Sequence, residues 1–251
     1  MAFVRGAPQL LVETNINGSI GYEDRLGRTI ALANGPYPIP GFAPRLLASL
    51  VASSTAACTS GVVTVTATAH GITATIFDGM QFYYPGSPSL AAGWYSGFDR
   101  TSADALTFLA PTAANFTSES VNSGNAFVDE VTAASISLPP NTLNAGDIVS
   151  ITTFARGDGV SSAKTWRIKT GTTTVSSQAV STGTSQGIIN LGFCVTSSVQ
   201  AIGAAIRSHS LVSSATSATI DTSAVTTVSL SLQLAAAGMF IFLPSAKLEI
   251  K

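Results

Sequence analysis

The chain reads as all-β, and three features of its 251 residues say so. Serine and threonine make up about a quarter of it, many alternate with Val, Ile, Leu or Ala, and Gly and Pro punctuate the alternating runs. Alternation with a period of two puts apolar side chains on one face and hydroxyls on the other, which suits strands covered on one side. The length allows one large β domain or two smaller ones. The punctuation favours an extended arm at residues 1–48, a small aromatic-rich β domain at 49–133 and a sandwich or jelly roll at 134–251.

The arm is defined by its prolines. Pro8, Pro36, Pro38, Pro40 and Pro44 fix φ and remove donors, so the run GPYPIPGFAPR holds neither a helix nor a central strand. Its apolar points Leu10, Leu11, Tyr37, Ile39 and Phe42 have little to pack on within the arm, which suits docking along a neighbouring subunit or an ordinary irregular terminus. RLLASLVASSTAAC fits a short helix or a turn into the next strand, and periodicity does not separate the two.

In the small domain VVTVTATAHGI alternates, placing Val63, Val65 and Ala67 on one face and Thr64, Thr66 and Thr68 on the other. Asp78-Gly79 marks a tight turn, and AAGWYSGFDR and ALTFLAP follow as strands. The polar TAANFTSESVNSGNAF reads as an exposed loop or a linker. Beyond it, SISLPPNTLNAGD gives a strand closed by Pro139 and Pro140 and a turn at 144–147. VTTVSLSLQL is the clearest strand, with Val228, Leu230, Leu232 and Leu234 sharing one face and Ser229, Ser231 and Gln233 the other. About eight such strands fit a sandwich or jelly roll.

Only 10% of the residues are charged, where an ordinary soluble domain carries about 25%. With a net charge of -1, little like-sign repulsion keeps copies apart, so the composition suits a permanent assembly. A secreted β-sandwich would share this composition but needs an export signal. The run MAFVRGAPQLLVETNINGS is broken by Pro8, Glu13 and Asn15 before any apolar stretch of signal length, so general secretory export is not expected. The longest apolar run, LAAAGMFIFL, is about half of the ~20 residues of a membrane helix, so no insertion is expected. Twelve basic residues are scattered among thirteen acidic ones and form no phosphate-neutralising patch, which argues against nucleic acid as a partner.

The segments LPPNTLNAGD, TWRIKTG and TIDTSAVTTVSLSLQLAAAGMFIFLPSAKLEIK resemble jelly-roll domains of tail and head accessory proteins of tailed bacteriophages. HGITATIFDGMQFYYPGSPSLAAGWYSGFDR is similar to a small β module found beside such domains. The resemblance covers roughly the last half of the chain and this module. It implies a virion structural protein, either tail-associated (fibre, spike or baseplate) or a capsid decoration. It also implies a homo-oligomer, a trimer by preference, joined to other virion proteins through the arm.

Chemistry has few candidates. His70 and His209 form no metal-ligand motif, and no metal or other cofactor is expected. Cys58 and Cys194 read as buried thiols acting as small apolar groups. No nucleophile elbow is present. Asp78, Asp99 and Asp104 are the one carboxylate cluster a glycosidase could use, though turn-forming aspartates explain them as well. Arg156-Gly157-Asp158 is read as a chance turn triplet. The aromatic group Phe82, Tyr83, Tyr84, Trp94, Tyr95 and Phe98 makes either a small core or, if Tyr84, Trp94 and Tyr95 are exposed, a contact surface for a partner or a host glycan. Three functions follow: a non-catalytic virion structural protein first, then a carbohydrate-binding host-recognition module, then a polysaccharide depolymerase.

Overall fold

The computed structural model describes residues 14–16, 19–21, 37–39, 42–51, 53–68, 70–72, 77–122, 130–157, 164–180, 186–197, 200–207, 210–211, 216–236 and 238–250. Every named element among the described residues is a strand, with almost no helix, so the protein is all-β.

Short strands come first: β1 (Thr14–Ile16), β2 (Ser19–Gly21), β3 (Tyr37–Pro38) and β4 (Arg45–Ala48). The small module follows with β5 (Thr55–Thr59), β6 (Val62–Thr66), β7 (Gln81–Tyr84), β8 (Gly93–Asp99), β9 (Ala105–Leu109) and β10 (Phe116–Ser120). The remainder is β11 (Val131–Leu138), β12 (Ile148–Gly157), β13 (Lys164–Thr170), β14 (Thr173–Val180), β15 (Gln186–Ser197), β16 (Gln200–Arg207), β17 (Ser210–Leu211), β18 (Thr216–Thr219), β19 (Thr226–Leu234) and β20 (Phe240–Ile250).

β1 and β2 pair with each other, and most of the remaining arm lies outside the described residues. The other strands form two sheets. One runs β10-β5-β6-β9-β8-β7-β4-β20-β12-β15-β16-β17, with β3 on β20 and β18 on β16, and the other is β11-β19-β13-β14.

Eight strands taken in chain order reveal the roll. In the series β4, β11, β12, β13, β14, β15, β19, β20, the first pairs with the last, the second with the seventh, the third with the sixth and the fourth with the fifth, all antiparallel. A long hairpin rolled on itself gives this nesting, which is a jelly roll. Its first strand is β4, so the small module is inserted between the first and second strands of the roll. The expected division is corrected accordingly: the span 134–251 lacks the roll's first strand, and β11 already begins at Val131.

RLLASLVASSTAAC thus supplies β4 and most of β5, and β4 is a central strand, between β20 and β7. Its residues serve both sides of the sheet: Leu46 and Ala48 pack in the small module's core, Leu47 in the roll's core. β20 is divided the same way, with Phe240 in the small core and Ile241 and Leu243 in the other. Pro244 is tolerated within β20 because it sits at a register shift against β12, where the opposite edge of β20 passes from β4 to β3. The His70-Gly71 turn closes the junction. Gly71 has φ +79°, and a Cβ there would overlap the Gly238 carbonyl just before β20.

Ile39 and Phe42, read as free apolar points of the arm, pack on the chain's own roll core. Phe116–Ser120, read as loop or linker, is strand β10, bulged between Phe116 and Glu119 at the sheet edge with mostly exposed side chains, which suits an edge strand. The expected alternation of β6 is observed: Val63, Val65 and Ala67 are buried, and Thr64, Thr66 and Thr68 are exposed.

Because β4 is buried on both faces, Leu46→Ala and Leu47→Ala are each expected to cost about 2–5 kcal/mol. Both variants should unfold in a single urea transition followed by circular dichroism and tryptophan fluorescence. Separate transitions for the two cores would contradict the shared-sheet account.

Candidate functional site

The aromatic run lies on the β7–β8 hairpin, where Phe82 opposes Tyr95 and Tyr83 opposes Trp94. The pleat sorts the rings between the two cores. Phe82, Tyr84 and Phe98 are fully buried in the small core, and Tyr84 meets Phe108 at 5.1 Å between ring centroids. Tyr84 is therefore corrected from a contact candidate to a core residue, and burial raises its phenol pKa. Tyr95 is half-buried, packed on Phe108 at 5.0 Å with its hydroxyl donating to the Ala91 carbonyl. Burial raises its pKa as well.

Trp94 faces the other way. Its ring meets Tyr83 edge-on at 5.3 Å, and its indole N–H donates to the Thr132 carbonyl of β11 at 2.9 Å. Above it stands the Arg45 guanidinium, 4.9 Å from the Trp94 ring centre and 5.2 Å from that of Phe42. Arg45 Nε donates to Gln81 Oε1 at 2.9 Å and Nη1 to the Ala133 carbonyl. One side chain thus ties β4, β7, β8 and β11 together, and desolvation lowers its pKa from the ordinary arginine value. Beside it opens a cavity of about 330 Å³ lined by Ile39, Phe42, Arg45, Trp94, Thr132, Ala134 and Ser135.

Of the three contact residues expected from sequence, only Trp94 lines this cavity. Arg45, Thr132 and Ser135 were not foreseen, because their proximity to Trp94 arises from pairings between residues about 40–90 positions apart in the chain. The carboxylates do not gather into a described site. Asp78 Oδ1 accepts the Arg100 amide at 3.2 Å, as a turn aspartate does, and Asp78, Asp99 and Asp104 are all exposed. Among the described residues no group of three metal-ligating side chains occurs.

Cys58 is buried in the small core, whereas Cys194 is half-buried on β15, which corrects the expectation of two buried thiols; neither is in a disulfide. Arg156 and Gly157 end β12, and Asp158 and His209 lie outside the described residues. His70 is fully buried: Nδ1 accepts the Ile72 amide and Nε2 lies 3.1 Å from the Ser102 carbonyl, the arrangement of a neutral imidazole protonated on Nε2.

No family model matches the chain, and no curated protein matches it. Among solved structures, an insecticidal delta-endotoxin from Bacillus thuringiensis is similar over 82% of this chain at 11% identity, with a TM-score of 0.28. The chain spans 42% of that toxin's length, and the likeness is too slight to bear on fold or function.

Arg45→Ala leaves the Ala133 carbonyl and Gln81 without their donor and removes the stacked cation, so a loss of about 2–4 kcal/mol is expected by urea denaturation. Arg45→Lys should recover only part of it, because one ammonium cannot reproduce the flat, forked contact. The His70 pKa is held below its ordinary value, chiefly by burial, so the folded state binds the proton less readily than the unfolded chain. The stability that depends on neutral His70 is intact above about pH 6.5 and falls as pH drops below it. The wild type's stability advantage over His70→Gln should therefore shrink between pH 7 and pH 5; an advantage independent of pH would refute the assignment.

Proposed function

We propose that the chain is a non-catalytic structural subunit of a tailed-bacteriophage particle, tail-associated or decorating the capsid, that works by assembling with copies of itself. The observation that carries this reading is the outer face of β12 and β15. There Ile148, Phe154 and Ile188 are 51%, 42% and 60% exposed, and Phe154 and Ile188 stand directly opposite each other. The outward neighbours Ser150, Thr152, Asn190, Gly192 and Cys194 are all uncharged, and charge enters at the margin, with Lys247 and Glu249 on β20 and Arg156 near the end of β12. A neutral face with large apolar side chains at its centre and charge at its margin has the composition of an interface core.

The low charge of the chain supports the same reading, since a closed oligomer hides the surface that net charge does not protect. A trimer is the favoured count, and the part of the arm preceding β3 is the proposed contact with other particle proteins. Tyr37–Pro38 and Arg45–Ala48 pair with β20, so they belong to the fold and not to that contact.

Sedimentation of the purified chain should give an oligomer mass, and Phe154→Lys combined with Ile188→Glu should give a monomer with unchanged circular dichroism. Deleting residues 1–36 should leave the oligomer intact but prevent its incorporation into particles. A wild-type monomer absent from purified virions would overturn the proposal.

A further inference from the structure

The Arg45 cavity lies apart from the proposed assembly face, and its contents call for a separate account. Arg45 is a cation fixed at two of its nitrogens and flanked by two aromatic rings. Among the described residues no carboxylate pairs with it, and none accepts from Nη2. The nearest acidic residue in sequence to the lining, Glu130, is engaged by Lys169 at 3.2 Å, Arg167 at 3.7 Å and the Ser231 hydroxyl. A guanidinium in this position is poorly hydrated yet keeps its charge, so an anion beside it gains more than it would in open water.

The rest of the lining narrows the class of anion. The hydroxyls of Thr132 and Ser135 stand on one strand, and Ile39, Phe42 and Trp94 supply apolar surface. Hydroxyl groups interleaved with aromatic and aliphatic surface match a sugar ring, which carries hydroxyls on its rim and C–H groups on its faces. A volume of about 330 Å³ is at the small end for ligand sites and suits one ring with one charged substituent. A staple between β4 and β11 would need the two hydrogen bonds of Arg45, but not the open cavity or the hydroxyls beside them.

We propose that this cavity binds a carboxylate-bearing sugar unit, a hexuronic acid of a surface polysaccharide, with Arg45 holding the carboxylate, Thr132 and Ser135 the ring hydroxyls, and Trp94 and Phe42 the apolar edge. The inference does not depend on self-association, because the cavity is complete within one chain.

Calorimetric titration of the intact protein with a uronic-acid oligosaccharide tests it. Binding is expected to weaken by about tenfold or more for the methyl-esterified oligosaccharide and to weaken with added salt. Ser135→Glu places a carboxylate beside Arg45 without touching its two fixing bonds, and it should abolish binding while the melting temperature and oligomer mass stay unchanged. Arg45→Lys should weaken binding by about tenfold, even where it also lowers stability. Absence of binding to the oligosaccharide, equal binding by Ser135→Glu, or equally tight binding of hexaglutamate or inorganic phosphate would each overturn the proposal. Because the titration does not depend on oligomer mass, its failure is distinguishable from failure of the assembly reading.

Discussion

The structure depends on one four-residue strand being buried on both faces. β4 pairs with β20 on one edge and β7 on the other, and its consecutive side chains Leu46 and Leu47 enter different cores. Strands are usually covered on one face, so this arrangement makes a single sheet the wall of two hydrophobic interiors. Without β4 the roll would lack its first strand and the small module its attachment to β20. The two bodies are therefore not beads on a linker but an inserted module and its host, sharing hydrogen bonds across a continuous sheet.

Several local features follow from that sharing. The β7–β8 hairpin must present one ring set to the small core and another to the roll, which is why neighbours such as Tyr83 and Tyr84 have different environments. Arg45, at the start of β4, lies where β7, β8 and β11 converge, and the one side chain long enough to bridge them also bears the charge that the proposed ligand would neutralise. Pro244 reads like a strand breaker, but the change of partner along β20 leaves a place where a missing donor costs little.

What was legible in the sequence is what one-sided burial writes into it. β6 and β19 alternate, and their inward residues could be named in advance. Even there the serine face of β19 is not open to water: Ser229 and Ser231 are buried opposite Lys169 and Arg167, whose long stems lie across the sheet. β4 was illegible because burial on both faces erases the period of two and leaves RLLASL looking equally helical. β10 was missed for the opposite reason, since an edge strand with mostly exposed side chains carries no apolar signal. Trp94 could be found from composition, whereas Arg45 could not, because nothing local marks an arginine whose partners are 36 and 88 residues away.

The distribution of the few charges separates the two outer faces of the roll. On the smaller sheet Glu130, Arg167 and Lys169 form a connected group, with Arg167 also reaching Gln233, so that face carries a charge cluster with one carboxylate shared between two cations. On the larger sheet residues 148–154 of β12 and 188–194 of β15 include no charged residue, and their exposed large apolar groups are Ile148, Phe154 and Ile188. Composition alone says only that charge is scarce. The fold says where the scarcity falls, and it falls on the outer face of β12 and β15 around Phe154 and Ile188, where a second copy could bury apolar surface without having to desolvate an ion. That asymmetry is the physical content of the assembly proposal, and it ties the low charge to one surface of the molecule.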